Sequence, residues 1–249
     1  MRLVESTWTE VRATLDESAR SVAIVPVGAV EAHGPHLALS TDVVIADAMA
    51  EAAGERLMAQ GWTALILPAL DYTPAPFAAE FVGTISIRSE TMTALLEDIA
   101  SAIAGWGVEV LAIANAHLDP THLGALYAAR DRIHEQTSLR CVFPDVTRRR
   151  WASRLGEEFL SGACHAGRYE TSIVLAADPT RVRDERDGLV ANPASLSVAI
   201  RAGQTTFLEA GGPSAYFGDP AAASATEGAG WIAELGDILA TAIDDPQNR

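Results

Sequence analysis

Two stretches of the chain, 22–27 and 108–114, are apolar at nearly every position, Glu109 being the exception. A strand with two apolar faces needs cover on both, so each reads as a buried strand of a parallel sheet. Shorter apolar stretches at 63–67, 83–87 and 140–143 read as further strands. Between them apolar residues return at helical spacing. Val11 and Leu15 do so within 6–20, behind a plausible cap at Ser6. An alanine-rich span covers 41–60 and stops near Gly61. Leu95, Leu96 and Ile99 are expected inward within 91–106, and further helices are expected up to about 136, over 173–177 and over 227–243. Strands alternating with helices predict an α/β fold, and no linker divides 1–249, so a single domain is expected. The tail from Asp244 is expected to fray.

The polar residues that matter stand where strands end. Residues 26–42 read PVGAVEAHGPHLALSTD, which puts Glu31, His33, His36 and Asp42 in the loop leaving the first buried strand. Open α/β sheets keep their sites at strand carboxyl ends. Glu31 and His33, two apart in extended backbone, project to one side. Asp42 opens the next helix, where it either caps that helix or returns a carboxylate to the same spot. Imidazole with carboxylate suits zinc, manganese or iron better than calcium or magnesium.

The second buried strand delivers Asn115, Ala116, His117, Leu118 and Asp119, whose H-x-D repeats the spacing of E-x-H. The alternative is a turn through Asn115 and Asp119 before Pro120, with His117 only packed. His122 follows in the first turn of a helix, close to the site or on the surface. Residues 162–172 read GACHAGRYETS; Gly167 ends a loop and Glu170 starts a helix. His165 and Glu170 are candidates for proton transfer, and Glu170 for a further metal ligand, unless it only complements the helix dipole. The proline-rich loop 68–81, with Tyr72 and Phe77, is expected to frame a pocket.

Composition narrows the classes. A formal net charge of -15 argues against nucleic acid or an anionic membrane, because a phosphate backbone needs clustered cations. All 18 basic residues are arginine, so a lysine Schiff base is excluded. Four of them fall within 145–154, and the run Arg148 to Arg150 reads as a solvated helix face, with an anionic substrate or subunit contact as the alternatives. Only two cysteines, Cys141 and Cys164, and no signal peptide make the cytoplasm the expected compartment. Cys164 beside His165 is a poor nucleophile and base, since adjacent side chains seldom face each other. No run is long enough for a membrane span. A nucleotide-binding domain fails for want of G-x-G-x-x-G after a strand.

Together, PVGAVEAHGPHLALSTD, NAHLD, HAGRYETS and GDPAAASATEG resemble the creatininase family of metal-dependent amidohydrolases, in the family's order and over roughly 20–240. The resemblance implies a three-layer α/β/α subunit with a mostly parallel sheet, usually in a homohexamer, with two divalent ions, zinc with manganese or a second zinc. It implies that Glu31 and His117 hold one ion, that His33 with the residue at Asp119 holds the other, and that Asp42 bridges them. Many relatives lack a carboxylate at the 119 position, and there the glutamate matching Glu170 replaces it, so Asp119 and Glu170 stay open alternatives. His165 matches a histidine used near substrate.

Departures from the family bear on substrate. Its serine and histidine in Y-G-x-S-x-E-H are Ala75 and Ala78 here, an aromatic residue is replaced by Leu118, and substrate contacts before the HAG motif have become Ser161 and Gly162. Loss of hydrogen-bonding groups removes preference for a small polar ring, so creatinine is not the expected substrate and the pocket, with Tyr72, Phe77 and Leu118, is expected to be apolar. The expected reaction is hydrolysis of a C–N bond in a small amide, lactam or formamide by water ionised at the metals. The alternatives are a peptidase of a short cofactor-precursor peptide, a hydrolase of a cyclic ketone, and an inactive binding or assembly subunit.

Overall fold

A computed structural model describes residues 1–245; most of the tail expected to fray lies outside them. The elements run α1 (Trp8–Asp16), β1 (Ser21–Val27), α2 (Thr41–Ala59), β2 (Thr63–Ile66), α3 (Ser89–Ala104), β3 (Val110–Asn115), α4 (Pro120–Gln136) and β4 (Arg140–Val142). They continue through α5 (Arg149–Ala152), α6 (Gly156–Ser161), α7 (Arg168–Ala177), α8 (Leu196–Arg201) and α9 (Ala225–Asp244). The four strands form one parallel sheet in the order β2-β1-β3-β4, with Val22 opposite Val110 and Ser21 opposite Thr63.

Every residue of β1 and β3 is buried, as a strand covered on both faces requires. Val22 and Ile24 point into a core shared with α2, α7 and α9, while Ala23, Val25 and Val27 point into a second core against α3 and α4. The result is a three-layer α/β/α subunit. From β1 the chain passes through α2 to β2 on one side, whereas β3 lies on the other, so the connections part between the exits of β1 and β3. A crevice opens at such a switch point.

Gly28 follows β1 and lies against the start of α2; a Cβ there would sit 2.4 Å from the Val43 amide nitrogen. Only glycine allows this approach, and it brings Asp42 beside the loop that holds Glu31 and His33.

Several local expectations are corrected. Thr7, not Ser6, caps α1, sharing a reciprocal capping box with Glu10. Residues 83–87 make no strand: Ser86 bridges Thr73 in isolation, and Ile85 N donates to Val30 O at 2.9 Å, so this stretch braces the site loop instead of joining the sheet. Leu95 is 39% exposed, because the buried stripe of α3 runs through Met92, Leu96, Ala100 and Ile103 and leaves Leu95 about a third of a turn away. Within 145–154 only α5 is helical, and α6 and α8 had no counterpart in the sequence reading. Arg148 pairs with Asp145 at 3.0 Å, and Arg150 lies over Trp151 and pairs with Asp245 at 3.3 Å, as a solvated face does.

Candidate metal centre

Glu31 and His33 leave the end of β1, Asp42 lies in the first turn of α2, His117 follows β3, and Glu170 lies in the first turn of α7. All five side chains are buried. Asp42 is not the cap of α2; Ser40 holds that position without a side-chain bond, and the Asp42 carboxylate turns inward. Gly167 begins α7 and has no side chain to cap it, so Glu158 of α6 does that work. Its Oε1 accepts from the amides of Arg168 (3.0 Å) and Asp219 (2.8 Å), and its Oε2 from Tyr169 (2.7 Å). His36 ties the first loop to the same turn through Thr171 Oγ1 at 3.0 Å. Ala166 adopts a left-handed φ of 51°, and its amide donates to Glu170 Oε2 at 2.6 Å.

The orientation of the two central histidines is fixed from behind. His117 Nε2 lies 2.9 Å from Pro74 O, and His33 Nδ1 lies 3.2 Å from Glu31 O. A carbonyl only accepts, so these nitrogens carry the protons, and the opposite nitrogens present lone pairs to the centre. There His117 Nδ1 meets Glu31 Oε1 at 3.1 Å and Asp42 Oδ2 at 3.0 Å. His33 Nε2 meets Asp42 Oδ1 at 3.1 Å, Glu170 Oε2 at 3.5 Å and Glu31 Oε1 at 4.0 Å. Glu31 Oε2, Asp42 Oδ2 and His33 Nε2 have no hydrogen-bond partner. Acceptors facing acceptors in a buried space require positive charge between them.

The titration behaviour of these groups states the same shortage. Burial works against a charged His33, yet Asp42, Glu170 and Glu31 outweigh it and lift its pKa to about 10. His117 is raised in the same way, by Glu31 and Asp42 against burial. Burial raises Glu31, and it raises Glu170 to about 8, while the two imidazoles hold Asp42 below the usual range despite its burial. Three compact donor groups result among the described residues, Glu31–Asp42–His117, His33–Asp42–Glu170 and Glu31–His33–His165; the first two share Asp42, whose two oxygens face different histidines. A nitrogen and oxygen set of this kind fits zinc, manganese or iron.

His165 stands against the centre in a different state. Its Nε2 donates to Ala32 O at 3.0 Å, and its ring stacks between His33 (4.2 Å) and Phe207 (4.3 Å). Burial pushes its pKa far below the ordinary value, so it is neutral with a free Nδ1. Burial also keeps His122 neutral; its Nε2 bonds Asn115 Oδ1 at 2.9 Å, and Asn115 in turn holds the backbone of His117.

Asp119 lies apart from all three donor groups. Its Oδ1 accepts from Thr121 N at 2.7 Å, capping α4, and its Oδ2 accepts from Phe77 N at 3.1 Å. A cavity of about 60 Å³ includes Glu31, Asp42, His117, His165 and Glu170 in its lining, with Phe77 and Leu118. Tyr72, expected beside these two, is 55% exposed and does not line it. Leu196, Ile200, Phe207 and Cys164 complete much of the wall. Sequence reasoning missed the first three; the spacing of Leu196 and Ile200, one helical turn apart, was the only available signal.

The family model for creatininase, described as creatinine amidohydrolase, matches residues 4–243. A mycofactocin precursor peptide peptidase of Mycobacterium tuberculosis is 32% identical over 237 residues, covering 91% of this chain and 83% of that protein. A solved structure named "Creatininase Mn" superposes with a TM-score of 0.77 at 24% identity, covering 97% of this chain and 96% of the other. Another, creatinine amidohydrolase (creatininase), gives a TM-score of 0.76 at 26% identity, with coverage of 97% and 96%. With its fold, motif order and chain-long match, this protein belongs to the creatininase family of hydrolases.

Proposed function

We propose that the centre holds two divalent cations and that the protein hydrolyses an amide C–N bond in a small amide, lactam or formamide. The observation that carries this reading is the confrontation of lone pairs: two imidazoles, each fixed from behind by a carbonyl, aim bare nitrogens at three buried carboxylates. Glu31, Asp42 and His117 hold one cation; His33, Asp42 and Glu170 hold the other. Asp119 stays with the amides of Thr121 and Phe77 and serves as scaffold. Cations bound there supply Lewis-acid polarisation of the scissile carbonyl and bring the ionisation of water towards neutral pH.

The chain's own residues supply the proton traffic. Neutral His165, with Nε2 tied to Ala32 O, accepts a proton at Nδ1 from the attacking water and returns it to the leaving nitrogen. Its ring is held between His33 and Phe207, so the proton moves without a change of rotamer. Phe77, Leu118, Leu196, Ile200 and Phe207 give the side of the cavity facing these groups an apolar lining. A second reading, cleavage of a short peptide, is favoured by the peptidase relative that matches 91% of this chain. Assembly as a homohexamer in the cytoplasm belongs to the same proposal.

The test is elemental mass spectrometry on protein purified without chelator, followed by assays on primary amides, lactams, formamides and short peptides. About two zinc, manganese or iron ions per chain and turnover of one substrate group are expected. Absence of metal after incubation with each ion overturns the reading.

A further inference from the structure

Away from the centre the cavity wall is apolar, and much of it comes from one segment. α8 presents Leu196 and Ile200 on one side, and both line the cavity with Phe207, Phe77 and Leu118. The segment is fastened to the HAG loop: Leu196 N donates to Gly162 O at 2.8 Å, and Ser195 Oγ donates to Ser161 O at 2.6 Å. Phe207 is 3% exposed, its amide donates to Phe77 O at 3.1 Å, and its ring lies on His165. The wall is therefore built to a fixed distance from the reacting groups.

Charge and size restrict what fits. The lining contains Glu31, Asp42, Asp119 and Glu170 and, among the described residues, no arginine, and the chain has no lysine. A substrate carboxylate set against Leu196, Ile200 and Phe207 would lose its water without gaining a side-chain cation, whereas an uncharged aliphatic group would not. The cavity, about 60 Å³, is small beside the roughly 300–1,000 Å³ of common ligand pockets. That matches a small aliphatic group better than an aromatic ring.

Resting on the hydrolase reading above, we infer that Leu196, Ile200 and Phe207 determine specificity, and that the site takes uncharged amides with a small branched aliphatic group next to the scissile bond. Amides carrying a carboxylate there, or an aromatic ring, are poor substrates.

The test compares isovaleramide, succinamate and phenylacetamide with metal-loaded wild type, Leu196→Ala and Ile200→Ala. Ammonia release gives kcat and KM, and ligand-observed NMR gives binding separately from turnover. In wild type isovaleramide is preferred over the other two in both readouts. In Ile200→Ala the ratio of isovaleramide to phenylacetamide falls about tenfold, chiefly through KM, with metal content unchanged. Equal use of succinamate and isovaleramide, or ratios unmoved in both variants, overturns the inference. If no substrate is turned over but NMR shows isovaleramide bound selectively and lost in Ile200→Ala, the wall assignment stands and hydrolysis of primary amides falls. Binding without selectivity overturns the wall assignment whatever the turnover.

Discussion

The floor and the wall of the cavity are made of different material held in different ways. The floor, with His33 behind it, gathers Glu31, Asp42, His117 and Glu170 from separate places in the chain, all buried, with His33, His117 and Glu170 oriented by backbone groups. The wall uses Leu196 and Ile200, half-buried on a helix of six residues, and leans on the loop beneath it. Removing one floor group strands several others without partners, whereas removing a wall side chain only enlarges a space. The floor should therefore respond to substitution as a unit and the wall by degrees.

Substitutions can break or sharpen that contrast. The largest effect is expected from Asp42→Ala, the group shared by the two proposed donor sets: elemental analysis should show the ions lost together, and activity should fall by more than about a hundredfold, since even outer partners of a metal site cost 10–100-fold. Loss of a single ion would show two independent sites. Stripping metal from wild type should lower its melting temperature, and a cation at about a hundred times its Kd should restore about 2.7 kcal/mol, read from denaturant curves.

Next comes Glu158→Ala, which leaves the amides of Arg168, Tyr169 and Asp219 without their acceptor. Chemical denaturation should show a loss of about 2 kcal/mol, with weaker metal binding because Glu170 rides on the same helix turn. His122→Ala should act through Asn115 on His117 and weaken metal binding about tenfold by competition with a chelator, while asparagine or glutamine at 122 recovers part of it. Smallest is Arg150→Ala, far from both regions, which should stay within about 0.5 kcal/mol of wild type in the same denaturation assay.

The floor was legible in the sequence and the wall was not, for physical reasons. Glu31, His33 and His117 leave two buried strands at their carboxyl ends, and the residue types alone limit what they do. Asp119 shows where that reasoning stops. An H-x-D pair looks like two ligands, but Pro120 starts α4 immediately after it, and the carboxylate is used to cap that helix. Whether a carboxylate faces a cation or an amide depends on which backbone donors lie close, and Phe77 N arrives from a distant loop. Leu196, Ile200 and Phe207 resemble any other apolar residues until the fold shows which of them border a cavity. The same limit explains Leu95 and Tyr72: periodicity placed Leu95 inward and the loop's composition placed Tyr72 in the pocket wall, but the packing of α3 and the course of the loop left both exposed.

Asp42 joins near and distant parts of the chain. Glu31 and His33 lie close to it in sequence, while Glu170 arrives much later, next to the Thr171 that is 135 residues from its partner His36. A cation held by His33, Asp42 and Glu170 therefore closes a very long loop. The cost of closing such a loop in the unfolded chain grows only slowly with its length, by about 0.6 kcal/mol for each doubling. Cys141 and Cys164 are both unpaired, so no disulfide bridges this span. An ion bound there would take the part of a cross-link, one that forms without an oxidant and is undone by a chelator.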